Sequence, residues 1–405
     1  MKLATQPRGE RYSPLFFLSS LGAGGLAISF FMYLMWMTPR PDQPIPSFNT
    51  LVPAFQDGGL AMQVMIVVSL LGIIYFAATH VRLLVWNLRQ AAEWRKTDAY
   101  QAFLKGNAES QLMVIPLTLA MSVNVAFIFG AVFVPGLWEI AEYLFPFALA
   151  AFAAIGVYAL RIFSGFLGRV LTEGGFSCAK NNSFGQMLSV FALAMVGVGF
   201  SASAAMSHNM VTSAIAFMGS ALFIVAALTM GLIFMVLGFR SMMEFKADKE
   251  TAPTLWIIIP FVTVAGIAIY RLNMALMHNF GVEWAPGSIF AYLTFLLALQ
   301  LVFGLIGYAV MKRFGYFEHF VTGEGRSPGS FALICPGVAL FVFANFFINP
   351  GLVGIGLIEQ YSIAYFALYL PLVALQLKTI QVYWKLNGKL LAEEQPKPAT
   401  LAPAE

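Results

Sequence analysis

Two cysteines carry the side chains best suited to chemistry in this sequence. Cys335 stands next to Pro336 inside an apolar run, and Cys178 lies in a polar stretch between two such runs. A thiol can act as a redox group or contact a substrate, but a thiol in apolar surroundings is inert and packs as a small hydrophobe. Both interpretations of Cys335 stay open. A disulfide with Cys178 would require their Cα atoms to approach within about 7 Å.

Three prolines recur inside apolar runs at regular spacing. Pro116 and Pro260 are 144 residues apart, and Pro336 follows Pro260 by 76 residues. This spacing indicates an internal repeat of roughly 72 to 76 residues, so that five repeats fill the chain. Proline within a helix frees a carbonyl and kinks the axis, and in lipid a freed carbonyl must be covered by protein or face a water-filled cavity. The prolines therefore either shape a pore or only adjust helix packing.

Hydroxyl and aromatic side chains near these prolines are further candidate pore residues. Thr118 and Thr263 closely follow their prolines, and their hydroxyls either contact an anion or bond the freed carbonyls. At the matching places, the fifth apolar run has Ser189 and the first has Gly24. Phe261 is next to a proline and either narrows the pore or packs in the core. Together with Cys335 and the three prolines, these residues form the predicted pore and gate.

Several function classes lack the residues that they require. Two cysteines cannot supply a structural zinc site or a framework of disulfides. A single histidine, His80, lies within an apolar run, whereas a bis-histidine haem needs two at membrane depth. The phosphate-binding motif GxxxxGK[ST] does not occur. We predict no metal or cofactor. If the apolar runs are membrane helices numbered in chain order, no odd-numbered helix has an ionisable residue at mid-depth. This favours passive conduction over proton-coupled transport.

The apolar runs are predicted to be membrane-spanning helices. Hydrophobic residues make up 60% of the 405 residues and charged residues only 10%, against roughly 25% in soluble domains. A spanning helix needs about 20 mostly apolar residues, and ten stretches qualify. The predicted spans are 15–37, 60–86, 111–134, 138–165, 184–206, 210–238, 254–275, 288–312, 329–350 and 358–384. The predicted fold is an all-α polytopic membrane protein with five helical hairpins.

The distribution of basic residues predicts the orientation in the bilayer. All but two of the 23 Lys and Arg residues fall in the two terminal segments or in the loops that would lie on the same side of the bilayer as the termini. The exceptions are Arg40 and Arg271. Cytoplasmic loops carry this excess, so we expect both termini inside. The predicted domains are a cytoplasmic segment 1–14, a transmembrane domain 15–390 and a disordered tail 391–405. The basic charge suits a lipid bilayer, and no nucleic-acid partner is predicted.

Residues 330–336, Ser-Phe-Ala-Leu-Ile-Cys-Pro, resemble the aromatic-rich segment ending in Phe-Pro of the TehA and slow-type anion channel family, the tellurite-resistance/dicarboxylate transporters. The hydropathy of residues 12–390 resembles that family, and FSCAKNNSFGQM, residues 176–187, resembles its TsoY-like branch, which includes selenoproteins. The resemblance implies five hairpins in a quasi-five-fold arrangement, with odd-numbered helices around a central pore. It also implies a homotrimer in the bacterial inner membrane that carries small anions, including sulfur, selenium or tellurium oxyanions.

The same resemblance implies a gate. In that family the Phe of the Phe-Pro pair plugs the pore, and Cys335 stands at its position here. Phe261 and Phe341 lie near the same depth, and each either replaces the missing plug or packs in the core.

Two other functions compete with a channel or passive transporter for small anions. One is a membrane subunit of a redox complex that binds quinol, which would place an ionisable residue near its quinone and has no need of a five-fold repeat. The other is a thiol-dependent redox protein or sensor that acts through Cys335. Function retained after Cys335→Ala would exclude this last possibility.

Overall fold

The computed structural model describes residues 8–392. Within this range every regular element is a helix. Ten helices are long and apolar enough to cross a membrane, which confirms the predicted number of spans and is the pattern of an integral membrane protein. Residues 1–7 of the predicted N-terminal segment and residues 393–405 of the predicted tail lie outside the described range.

We number the ten long helices α1 to α10 in chain order. Their bounds are α1 Phe17–Met37, α2 Leu60–Trp94, α3 Val114–Phe133, α4 Ala141–Glu173, α5 Met187–Met206, α6 Met210–Phe245, α7 Ile258–Phe280, α8 Pro286–Arg313, α9 Ile334–Phe346 and α10 Ile363–Leu390. Among the odd-numbered helices, segments of 3₁₀ helix directly precede α1, α3, α7 and α9, and a π-helical segment, Phe347–Val353, continues α9.

Three even-numbered helices extend well past the predicted spans. α2, α4 and α6 end at Trp94, Glu173 and Phe245, whereas the apolar runs end near residues 86, 165 and 238. The added turns contain Arg, Gln, Glu and Ala, which favour helix but fall outside an apolar window. Hydropathy therefore locates the part of each helix that suits a bilayer, but it does not give the full length of the helix.

The ten helices form an inner and an outer layer. In the most apolar part of each odd-numbered helix, 61 to 94% of the residues are buried, against 11 to 33% for the even-numbered helices. The exposed residues of the even-numbered helices are mostly large and apolar, as a lipid-facing surface requires. The odd-numbered helices therefore make up the interior of the protein.

Helix contacts follow the hairpins and also join the inner helices to one another. Each odd-numbered helix packs against the even-numbered helix that follows it. In addition, α1 packs against α3 and α9, α5 packs against α3 and α7, and α7 packs against α9. Small residues allow close approach at such contacts. At Gly199 on α5, a Cβ would lie 2.1 Å from the Phe152 ring of α4, so that only glycine fits.

The repeated prolines mark the start of the inner α-helices. Pro116, Pro260 and Pro336 are each the third residue of α3, α7 and α9, directly after a 3₁₀ segment. Ser189 is the third residue of α5, and Ser19 holds that place in α1. In α3, α7 and α9 the proline therefore lies in the first turn of the α-helix, just after the change from 3₁₀ geometry, where a missing N–H costs least.

The segment between α1 and α2 contains a short amphipathic helix that hydropathy did not predict. This helix, Phe48–Asp57, begins with a capping box in which Ser47 and Thr50 bond each other's backbone. Its Asn49 side chain donates to Glu139 at 3.1 Å and accepts from the Gly136 N–H. These bonds hold the segment against the loop between α3 and α4.

Candidate functional site

The main cavity of the protein lies between all five odd-numbered helices. Its volume is about 180 Å³, enough for on the order of a dozen waters or a small anion with part of its hydration shell. The lining residues of α1 run from Leu21 to Met35, which corresponds to about 21 Å of helix. Ala148 and Phe152 of α4 complete the wall. This elongated space is the candidate functional site.

The end of the cavity where the odd-numbered helices begin is lined by mostly apolar side chains. The residues that line this end are Leu21, Gly22, Met121, Phe191, Pro260 and Cys335. Phe191 is 4% exposed and is the aromatic residue of this set. The opposite end, near the C-termini of the odd-numbered helices, is lined by Met35, Ile45, Met206, Arg271 and Phe346. The two ends therefore differ in charge.

Arg271 is the charged side chain that lines the cavity within the described residues. Its Nη1 donates one long hydrogen bond, 3.4 Å, to the carbonyl of Val198 on α5. None of the ion pairs formed by residues 8–392 involves Arg271. An uncompensated cation in an apolar cavity attracts anions and repels cations. The cavity can therefore select ions by the sign of their charge.

Arg271 bears on the expectation that no odd-numbered helix holds an ionisable residue at mid-depth, because it lies in the interior of α7. The apolar run ends near residue 275, which would place Arg271 close to the surface, but α7 continues to Phe280. Gly281 then ends the helix in a left-handed conformation, with φ +67°. Arg271 consequently lies more than two turns inside the helix. Gly281 was the signal in the sequence, because glycine commonly follows the last residue of a helix.

A second arginine, Arg40, lies beyond α1 on the same side as the charged end of the cavity. Its guanidinium stacks over the Trp36 ring at 5.4 Å and donates to the carbonyl of Met35. Burial lowers the pKa of Arg40 from its usual value, and the nearby phenols of Tyr361 and Tyr270 oppose that change. Tyr270 also interacts electrostatically with Arg271. Arg40 and Arg271, which the sequence assigns to the non-cytoplasmic side, therefore both interact with Tyr270.

Uncharged polar groups complete the lining. Asn124 of α3 contacts the sulfur of Met195 at 3.6 Å, and a thioether is a weak acceptor. Thr263 of α7 donates to the Ala339 carbonyl of α9 at 3.2 Å, which joins two inner helices. Ser203 also lines the cavity. Hydrogen-bond donors are therefore present along a mainly apolar path.

Three of the predicted site residues line the cavity, namely Cys335, Pro260 and Thr263. The other predicted residues, Pro116, Pro336, Thr118, Ser189, Gly24 and Phe261, are absent from its lining. Thr118 donates to the Val114 carbonyl at 2.7 Å, so its hydroxyl serves the backbone.

The remaining predicted residues face neighbouring helices. A Cβ on Gly24 would lie 3.0 Å from His80 of α2, and the Phe261 ring lies near Gly231 of α6. The Ser189 hydroxyl is buried without a partner among the described residues.

Neither proposed replacement for the missing plug lines the cavity. Phe261 faces α6, and Phe341 is fully buried and packs edge-on against Tyr33 at 5.6 Å. Phe191 of α5 instead lines the cavity, at the same end as Cys335. The sequence gives no local signal that singles out Phe191, because it lies in a continuous apolar run and its direction depends on how α5 packs.

The two cysteines are free and lie in different environments. Cys178 is exposed in the loop between α4 and α5, where its carbonyl accepts a hydrogen bond from Ser241 at 2.7 Å. Cys335 is half-buried and lines the end of the cavity where the odd-numbered helices begin. Within residues 8–392, no group of three or more His, Cys, Asp and Glu side chains is placed to hold a metal ion.

No protein-family model and no curated protein matches the chain.

Proposed function

We propose that this protein is a passive conduit for small anions, a channel or facilitative transporter, with its path through the main cavity. One observation carries the proposal: an elongated, mainly apolar cavity lies between the five inner helices, and its one charged lining residue in the described chain is Arg271. None of the lining residues is acidic. A path of this kind favours anions, because a fixed positive charge with low-dielectric walls attracts them and excludes cations.

The contacts among the inner helices support a quasi-five-fold arrangement. They form a closed circuit in the order α1, α3, α5, α7, α9 and back to α1. Each inner α-helix also has an equivalent third residue, a proline or a serine. Five equivalent hairpins around one axis leave a pore between the inner helices. The five hairpins are what the resemblance to the TehA and slow-type anion channel family implies, and on that resemblance alone we also propose its TsoY-like branch and a homotrimeric assembly.

The basic residues support an orientation with both termini in the cytoplasm of a bacterial inner membrane. In this orientation the end of the cavity with Phe191 and Cys335 faces the cytoplasm, and the end with Arg271 faces outward. Arg40 lies at the outer side near Tyr270 and raises the local concentration of anions at the mouth. An anion therefore enters towards Arg271 and meets the constriction at Phe191 and Cys335.

Cys335 contributes to the gate as a small side chain. By the resemblance, it stands where the channels of that family have the plugging phenylalanine, and here Phe191 lines the same end of the cavity with an aromatic ring from α5. Since a thiol is much smaller than a benzyl group, Cys335 leaves space that Phe191 can move into when the path opens.

The experiment is anion influx into liposomes that contain the purified protein, measured for chloride, nitrate, sulfite and thiosulfate. Cys335→Phe should block influx and Cys335→Gly should preserve or increase it. Cys178→Phe is the matched control, because Cys178 is exposed outside the cavity. Influx that is absent from the wild type, or unchanged by Cys335→Phe, would contradict the proposed path.

A further inference from the structure

We infer that residues 38–57, between α1 and α2, form a lid over the end of the main cavity that holds Arg271, and that a latch at Asn49 keeps this lid shut. The lid controls access to the cavity from that side of the protein. The inference rests on the proposed function in that the lid closes the proposed path, but it can be tested without transport.

The first half of the lid is a rigid strap that carries one side chain into the cavity. Four of residues 38–47 are prolines, and each fixes its own φ. The strap turns back where the Gln43 N–H donates to the Arg40 carbonyl at 3.3 Å. Pro41 and the positive φ of Asp42, +61°, are the pattern of a type II turn. Ile45 follows this turn, is 6% exposed, and alone among residues 38–59 lines the cavity.

Ile45 reaches the cavity from beyond the ends of the inner helices. The other lining residues at this end, which include Met206 and Arg271, come from the inner helices themselves. Residues 38–47 follow Met37, the last residue of α1. Ile45 nevertheless belongs to the same buried cluster as the apolar residues of the inner helices. A side chain in this place covers the end of the cavity.

The second half of the lid is the short helix Phe48–Asp57, which has little stability of its own. It has ten residues, and Pro53 in its interior removes one backbone hydrogen bond. Helices of this length are marginal in water, so this one depends on its packing. Leu51 and Ala54 are buried, whereas six of the ten residues are exposed. Segments with few buried contacts are the ones that open locally.

The latch joins this helix to the turn between α3 and α4. The Asn49 side chain donates to Glu139 at 3.1 Å and accepts from the Gly136 N–H at 3.1 Å. Asn49 and Glu139 are exposed, so water competes for these bonds. Two bonds of this strength keep the lid shut for most of the time and let it open briefly.

The two ends of the lid are attached in ways that allow it to swing. At its start, Arg40 stacks over the Trp36 ring at 5.4 Å, which fixes this point to α1. At its end, Gly58 and Gly59 connect the short helix to α2, and a Cβ added to Gly59 would meet no atom within 4 Å. Glycine absorbs changes in φ and ψ at little steric cost. The lid can therefore rotate about the line between these two points, which lifts Ile45 out of the cavity.

The test measures how fast a thiol beneath the lid reacts with a reagent in water. Met206 lines the covered end of the cavity and is 9% exposed. Met206→Cys, in a protein with Cys178→Ser and Cys335→Ser, therefore reports access. The probe is a small methanethiosulfonate that bears a sulfonate, applied to the purified protein in detergent. Labelling should be slow with the lid intact, and Asn49→Ala should accelerate it by about tenfold, which corresponds to about 1.4 kcal/mol.

Two controls and a second variant separate lid opening from a general loosening of the protein. Gln56→Ala removes an exposed side chain of the same short helix and should leave the labelling of Met206→Cys unchanged. Met243→Cys, at a position 78% exposed on α6, should label quickly with or without Asn49→Ala. Ile45→Ala leaves the latch intact but shortens the side chain that covers the cavity, so it should also accelerate labelling.

A cross-link across the latch tests the lid in a membrane. Asn49→Cys and Glu139→Cys, combined in the same cysteine-free protein, can be joined by a short bis-methanethiosulfonate and released by a reductant. If the protein carries anions, the cross-link should reduce influx into liposomes, and the reductant should restore it.

The outcomes separate this inference from the proposed function. Labelling of Met206→Cys as fast as that of Met243→Cys with the lid intact would overturn the lid. So would labelling that neither Asn49→Ala nor Ile45→Ala accelerates, or that Gln56→Ala accelerates equally. Faster labelling in Asn49→Ala without any anion influx into liposomes would keep the lid and refute the conduit. Anion influx with unchanged labelling would keep the conduit and refute the lid.

Discussion

Replacing Arg271 with glutamine should slow anion influx, because it removes the positive charge that the cavity presents to an ion. For an anion about 4 Å from the guanidinium, Coulomb's law gives about 1 kcal/mol if the cavity behaves as bulk water and about 4 kcal/mol at an effective dielectric constant near 20. Since each 1.36 kcal/mol is a factor of ten, the expected reduction lies between about fivefold and about a thousandfold. The walls are mainly apolar, which excludes the lower end of this range.

The assay is nitrate influx into liposomes at matched protein content, with wild type, Arg271→Gln and the control Arg240→Gln in parallel. Burial protects the interaction from screening, so the difference should persist at high ionic strength. Arg240→Gln should match the wild type, because its charge lies on the exposed surface of α6. An Arg271→Gln protein that folds normally and carries nitrate at the rate of the wild type would refute the reasoning.

Three further predictions concern the cavity residue Phe191 and the contacts between helices. Phe191→Ala should accelerate anion influx in liposomes, because it removes an aromatic ring that lines the proposed path; unchanged or slower influx would exclude Phe191 as an obstruction. His80→Leu should lower the melting temperature, since the imidazole Nδ1 bonds the Ser20 carbonyl at 2.8 Å and an unsatisfied buried group costs about 1–3 kcal/mol; an unchanged melting temperature would contradict this. Gly199→Leu should also destabilise the protein, by about 1–3 kcal/mol from overpacking, because its Cβ would lie 2.1 Å from the Phe152 ring; a variant as stable as wild type in the same melt would show that α4 can move away.

The number of spans and their approximate positions could be predicted from the sequence, because a bilayer imposes length and apolarity on each helix. The repeat of Pro116, Pro260 and Pro336 could also be predicted, and it corresponds to one structural place, the third residue of an inner helix. That these prolines lie directly after a 3₁₀ segment could not be predicted, because hydropathy does not distinguish a 3₁₀ segment from the α-helix that follows it.

The lining of the cavity could be predicted only in part. Cys335, Pro260 and Thr263 line it. Thr118 and Phe261 do not, although they follow their prolines in the sequence almost as Thr263 follows Pro260. Which face of a helix points inward depends on its packing with two neighbours, and a nearly all-apolar helix carries no periodic signal for that face. The sequence did not predict that Arg271 lines the cavity, because the apolar run ends before α7 does. It did not predict Phe191 either, because no adjacent polar residue distinguishes this phenylalanine from the others in its apolar run.

The most direct measurement of the central claim is the reversal potential of wild-type protein in a planar bilayer with a tenfold gradient of potassium nitrate. The proposed conduit predicts a current whose reversal potential lies close to the equilibrium potential of nitrate, since the cavity holds a fixed cation and no lining carboxylate in the described chain. A reversal potential close to that of potassium, or the absence of any current above that of protein-free bilayers, would contradict the account.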